Sequence, residues 1–337
     1  MRISTGYVEL ACPYIVLLTS LLFANISVST TLVSAVEPFQ TRDQNPFVLV
    51  YGLPLNPSAQ MLAKKESRFG LTLNLANTLT KETLSNESLL VDSEIYHFNL
   101  TWQYGLTDDW NLRLTVPIIS YQGGELDGFI EGFHDAFDLP RGNRPKNPRG
   151  RVLIQYSRDG DTLVNVDSPQ TGVGDVLLAA GRRLIDGSGR RLSGWASLKL
   201  PTGDSDKLTG SGGVDLAGWF SGNYAITHAW QLFGGGGLIY TQSGNVLRKQ
   251  REQTAVFGNL GLVWLPWSKL NLKLQADAHS SFYQGTRLDF LGDSVQLTAG
   301  GSIKFGRRTS LDLAVTEDVM VGASPDVVFV VTLRSGF

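Results

Sequence analysis

The chain of 337 residues has one cysteine, few charges and only one long apolar run. Each shortage excludes something. A charged fraction of 18% lies below the ~25% usual in soluble proteins. A net charge of −2 offers nothing that would attract nucleic acid. Helical membrane proteins need ~20 consecutive apolar residues per span, and no such run follows residue 36. No His-x-x-x-His, carboxylate cluster or cysteine pair points to a metal, and no cofactor motif is visible.

The one apolar run, Tyr14–Ala24, follows Arg2 and precedes the small residues Val33-Ser34-Ala35. This is the pattern of a secretory signal peptide over residues 1–35. Cys12 lies inside it, so the mature chain is expected to have no thiol. Disulfides, thiolate metal sites and thiol nucleophiles are then excluded.

Past residue 36, period-2 alternation recurs. Tyr96, Phe98, Leu100, Trp102 and Tyr104 alternate with His97, Asn99, Thr101, Gln103 and Gly105. Leu270, Leu272, Leu274, Ala276 and Ala278 alternate with Asn271, Lys273, Gln275, Asp277 and His279. Two charges and a histidine on one strand face are costly in a soluble core but suit a wet lumen. Such segments number about 12. They fall near 67–79, 94–106, 110–121, 173–184, 192–201, 213–225, 229–241, 254–265, 269–282, 292–305, 309–319 and 326–337. The faces are least distinct over 173–184 and 192–201, where Arg182, Arg183, Trp195 and Lys199 interrupt the alternation. Most segments exceed the ~5–6 residues of soluble strands and match tilted membrane strands of ~9–11.

The connections alternate long (80–93, 122–172, 202–212, 242–253, 283–291) and short (107–109, 226–228, 266–268, 306–308), with 185–191 and 320–325 of moderate length, as in outer-membrane barrels. Trp102, Tyr104, Trp110, Trp230, Tyr240, Trp264, Trp267 and Tyr283 fall near strand ends, where interfacial girdles form. The last strand places Val327, Phe329, Val331, Leu333 and Phe337 on one face, broken by Ser335. A terminal strand ending in phenylalanine resembles the assembly signal of bacterial outer-membrane barrels. The expected fold is therefore all-β: a transmembrane antiparallel barrel of about 12 strands over 67–337, in the bacterial outer membrane. Its partners would be outer-membrane lipids, lipopolysaccharide and the barrel-assembly machinery.

Residues 36–66 carry Asn45-Pro46-Phe47 and Tyr51-Gly52-Leu53-Pro54 with little periodicity, which predicts an extended segment in the periplasm or in the lumen. The loop 122–172 is too long to be a simple connection. Ile130, Phe133 and Phe137 recur at helical spacing, and Arg141, Arg144, Lys146, Arg149 and Arg151 follow. Such a loop plugs the barrel mouth or forms a surface lid.

Four stretches resemble an uncharacterised outer-membrane family, domain-of-unknown-function family 3187. They are Asn45-Pro46-Phe47 with Gly52-Leu53-Pro54, Phe133-His134-Asp135-Ala136-Phe137-Asp138-Leu139-Pro140, Gly172-Val173-Gly174-Asp175 and Leu200-Pro201-Thr202-Gly203-Asp204. The last also resembles a broader class linked to uptake of aromatic compounds. The resemblance implies a barrel and no established activity.

The functional expectation is a channel or transporter for a small solute, aromatic or hydrophobic in character. Its selectivity would rest on Arg113, Lys273, Asp277 and His279 in the lumen and on Phe133, His134, Phe137, Arg141 and Arg144 in the loop. A non-conducting structural barrel is the alternative. A third reading is a lipid hydrolase with His279 as base and Ser281 as nucleophile, the pairing used by outer-membrane phospholipase A and lipid A deacylase. The strand phase opposes it, because it turns both residues toward the lumen and Ala276, Ala278 and Phe282 toward lipid.

Overall fold

A computed structural model describes residues 36–337 other than 56–57, 125–149, 307, 321 and 326. Its strands are β1 (Ser67–Thr83), β2 (Glu87–Gly105), β3 (Trp110–Gln122), β4 (Leu153–Arg158), β5 (Asp161–Val166), β6 (Gln170–Val173), β7 (Val176–Gly187), β8 (Arg190–Leu200), β9 (Asp215–Ala225), β10 (Trp230–Thr241), β11 (Thr254–Trp267), β12 (Leu270–His279), β13 (Ser294–Phe305), β14 (Thr309–Asp318) and β15 (Val327–Gly336). Twelve of them, β1–β3 and β7–β15, pair antiparallel in sequence order. The ring shuts where β1 meets β15, with Leu71 opposite Leu333 and Leu75 opposite Phe329. Closure removes the sheet edge, which a bilayer cannot tolerate.

Alternation decides which way each side chain faces. Leu71, Leu100, Leu178, Phe220, Leu238, Leu274, Leu313 and Leu333 stand exposed on the outside, while Asn74, His97, Asn99, Gln275, Thr298, Asp312 and Thr332 are buried within. A continuous apolar exterior around a polar interior is stable only in hydrocarbon. At the short-turn end, Trp102, Trp110, Trp230, Trp264, Trp267, Phe305 and Phe337 form an exposed aromatic rim. Trp230 stacks on Trp264 at 5.9 Å, and Phe69 bridges Trp102 and Phe337 at 6.5 and 6.0 Å. Tyr283 does not belong to this rim. It is buried inside the barrel, because the β12–β13 connection folds inward.

Three other segments differ from the alternation pattern. Residues 80–93 are a continuation of the β1–β2 ladder up to Thr83–Ser88, with a three-residue turn, where the sequence suggested a long loop. Polar residues on both faces above the membrane zone hid that strand. β12 stops at His279, so Phe282 faces inward (1% exposed) instead of toward lipid. The span 122–172 contributes strands of its own. β4 pairs with the upper edge of β2 (Asp92 opposite Leu153), β5 pairs with β4, and β6 pairs with β3 (Tyr121 opposite Gln170). They raise the wall above the ring on one side. The helical spacing at Ile130, Phe133 and Phe137 and the basic tract at Arg141 and Arg144 lie outside the described residues.

Candidate functional site: the lumen and its strap

Residues 36–55 run inside the ring as a strap, buried along almost their whole length. Local chemistry shapes it. Asn45 caps a one-turn helix, α1 (Pro46–Leu49), by accepting from the Phe47 amide at 2.9 Å, and Pro46 occupies the first turn, where no amide is needed. Arg42 donates to the carbonyls of Leu49, Tyr51 and Leu53. Its guanidinium thereby satisfies the helix end and folds the strap back on itself. Phe47 meets Tyr156 and Tyr283 edge-on, and Tyr51 stacks on Phe282 at 4.7 Å. Tyr283 donates to the Phe47 carbonyl at 2.7 Å. Burial pushes the Tyr51 and Tyr283 phenols up, so both remain neutral.

The strap is held by polar side chains of the wall. Lys273 donates to the Glu37 carbonyl at 2.9 Å and to Asp312 at 3.0 Å, and lies 4.0 Å from the Phe39 ring centre. Arg334 joins Asp312 at 2.7 Å and the Pro38 carbonyl. The Phe39 amide donates to Gln275 at 2.8 Å. Arg113 donates to Gln40 at 2.6 Å, His97 bonds Gln44 at 2.9 Å, and His279 Nε2 lies 3.0 Å from Asp43. These contacts come from β2, β3, β12 and β15. Buried charges persist only when paired and hydrogen-bonded, as here.

The tip docks on a second cluster. Lys199, 1% exposed, lies 2.7 Å from Asp175 and 3.1 Å from Asp215, and donates to the Val50 carbonyl at 2.8 Å. Asp215 accepts the Gly52 amide at 2.8 Å. Asp175 also accepts the amides of Gly203 and Ser211. A Cβ at residue 52 would sit 3.0 Å from the Lys199 Cβ and 3.3 Å from the Asp215 Cβ, a tight fit that glycine avoids. In the same connection the Asp206 amide holds the exposed Asp204 carboxyl below its ordinary range. Three of the stretches singled out by sequence therefore meet at one point: Tyr51-Gly52, Gly174-Asp175 and Leu200–Asp204.

The arc from β7 to β11 has a different surface. Trp195 and Trp219 face inward and stack at 6.1 Å, with Phe257 beside Trp219. Trp195 lies across Gly181 and Phe233 across Gly261, where a side chain would collide with the ring, while at Gly237 it would collide with the Gly218 carbonyl and the Trp219 Cα and Cβ. The Trp219 indole N–H is buried with no hydrogen-bond partner among the described residues. Two small cavities flank the strap among the described residues. One cavity beside Asp43, Leu53, Phe257 and His279 holds about 20 Å³, and another beside Glu37, Arg68, Arg113 and Arg334 is the same size. Each has room for one water.

Of the residues proposed from sequence, Arg113, Lys273, Asp277 and His279 share the lumen, and three of them grip the strap. Asp277 instead accepts from Gln275 at 2.9 Å. Phe133, His134, Phe137, Arg141 and Arg144 lie outside the described residues. Lys199, Asp215, Asp312 and Arg334 were missed as members, although each sits in the inward phase of its strand. His279 and Ser281 bond elsewhere: His279 to Asp43, and Ser281 Oγ to the carbonyls of Tyr283 and Leu291.

Among solved structures, the chain is similar to the COG4313 outer membrane channel from Pseudomonas putida F1, at 14% identity and a TM-score of 0.54, covering 82% of this chain and 97% of that one. That likeness shows the outer-membrane barrel fold. The KdgM porin (8% identity, TM-score 0.42, 80% and 99% covered) and the P. putida toluene transporter TodX (10%, 0.38, 88% and 93%) are more distant, and nothing further rests on them. No curated protein sequence matches the chain. The model of the family described as Protein of unknown function (DUF3187) matches residues 14–337, and the chain belongs to that family.

Proposed function

We propose that this protein is an outer-membrane channel for a small aromatic or hydrophobic solute, and that the strap holds it closed. The observation that carries the reading is the division of the lumen. The strap's hydrogen bonds run to β1, β2, β3, β12, β13 and β15, to the carbonyls of Phe290 and Ala323 and, at its tip, to β8 and β9. The Trp195–Trp219 face lies on the arc opposite the Lys273–Asp312–Arg334 cluster and keeps an unbonded indole N–H. Stacked rings with glycine behind them offer a flat apolar slide, and the indole adds one hydrogen bond to a passing acceptor. Lys273, Arg113 and His279 then serve the strap first and set the lumen charge once it moves. Residues 1–35 would direct export, and the strand ending at Phe337 would present the chain to the assembly machinery.

Flux into proteoliposomes tests the solute class. In a barrel lacking residues 36–55, phenylalanine should enter faster than arabinose. Trp195→Ala with Trp219→Ala should remove that preference while leaving arabinose unchanged. Equal rates before substitution would refute the aromatic preference. The second reading, a barrel that never conducts, draws on the water-sized cavities around the strap. It predicts no flux of either solute in any variant.

A further inference from the structure

A separate cavity lies apart from the strap's contacts, at the long-connection end. It measures about 660 Å³ and opens between the β4–β5 turn, the 242–253 connection and the turn at Gln284-Gly285. Its volume is within the ~300–1,000 Å³ range of small-molecule sites. We infer that this vestibule binds a small organic acid that carries a carboxylate and hydroxyl groups.

The lining supports that chemistry. Arg248 and Lys249 stand side by side on the exposed 242–253 connection, and neither has a hydrogen-bond or ion-pair partner among the described residues. Two adjacent cations repel each other, and an anion between them relieves the repulsion. Leu247, just before them, takes a left-handed backbone (φ 40°) and is 4% exposed. That turn sends Leu247 into the core beneath and leaves the two cations at the surface. Arg158 is fixed across the cavity by donating to the Gly285 carbonyl at 2.8 Å, so the vestibule has a braced wall. Exposed Leu163 supplies an apolar plate. Asp159 and Asp161 line the same space. A bare anion would meet these carboxylates unfavourably, whereas a hydroxylated acid can donate to them. The site is distinct from the aromatic arc and needs no movement of the strap.

Calorimetry on the full chain in detergent, with 4-hydroxybenzoate as probe, tests the inference. The acid should bind, and raising the salt should weaken it. The double variant R248Q/K249Q should lose about tenfold or more in affinity, the loss expected when charge-assisted hydrogen bonds are removed. Both positions lie on an exposed connection, and heat-modifiable migration on gels verifies that the barrel is folded. Neutral 4-hydroxybenzyl alcohol should bind weakly and be unaffected by the double variant. Inorganic phosphate should bind less well than the acid. Equal affinity for acid and alcohol, full retention of acid binding in R248Q/K249Q, or tighter binding of phosphate would each overturn the inference. Binding is read on the closed barrel, without flux. Failure here leaves the channel reading standing, and absence of flux leaves this site standing.

Discussion

Lys199 donates to the carbonyl of Val50 across 2.8 Å, tying β8 to a strap residue 149 positions earlier in the chain. The same ammonium neutralises Asp175 and Asp215, and Asp215 accepts a bond from the Gly52 amide. One buried cation thus fixes the strap tip, the β8–β9 connection and the entrance to β7.

Lys199→Met leaves two carboxylates buried without a cation, a defect that costs roughly 3–5 kcal/mol in buried pairs. The tip is expected to come free while the ring stays closed. A cysteine placed at Leu55 should react with a maleimide much faster in this variant than in the parent barrel. Unchanged labelling would show that the tip does not depend on Lys199.

Gly52→Ala tests the same docking by shape. Its methyl would press on the Cβ atoms of Lys199 and Asp215 at 3.0 and 3.3 Å. Overpacking of this kind costs about 1–3 kcal/mol. Hydrogen exchange should quicken at residues 45–55 and remain slow in the β1–β15 ladder. Equal exchange in both forms contradicts the close fit.

The seven tryptophans divide five outward and two inward: Trp102, Trp110, Trp230, Trp264 and Trp267 are exposed, while Trp195 and Trp219 are 4% and 7% exposed. Brominated lipids should quench the fluorescence of a variant retaining only the outer five. They should leave a variant retaining only Trp195 and Trp219 nearly unquenched. Strong quenching of the inner pair would mean that the faces are inverted.

Ser281→Ala removes a hydroxyl that accepts the Tyr283 amide and shares its one proton between the Tyr283 and Leu291 carbonyls. Stability should fall by about 1–3 kcal/mol, the cost of stranding buried acceptors. Phospholipid ester hydrolysis should be absent both before and after the change. Hydrolysis by the parent chain that disappears in Ser281→Ala would revive the lipase pairing.

The ring was legible because its cause is local. Alternation at Tyr96–Tyr104 and Leu270–Ala278 reports which solvent each face meets, and that pattern survives in a single sequence. The β1–β2 extension was not legible, because Lys81, Glu82, Glu87 and Ser88 lie above the hydrocarbon and need no alternation. Trp195 and Lys199 blurred the faces of β8 for a physical reason. Both point inward, where an aromatic residue lies on Gly181 and a lysine meets two aspartates, contacts formed with strands far away in sequence. The inward course of residues 36–55 was equally hidden. Its anchors, Lys273, Arg334 and His279, lie more than two hundred positions downstream. The candidate site was therefore half visible: charged inward positions could be named, but their partners could not.

Single-channel recording across a planar bilayer tests the central claim most directly. The full chain should stay closed apart from rare openings. The barrel lacking residues 36–55 should show steady conductance, and Lys199→Met should flicker between the two levels. A full chain that conducts as well as the strapless barrel, or a strapless barrel that passes no current, would contradict the account.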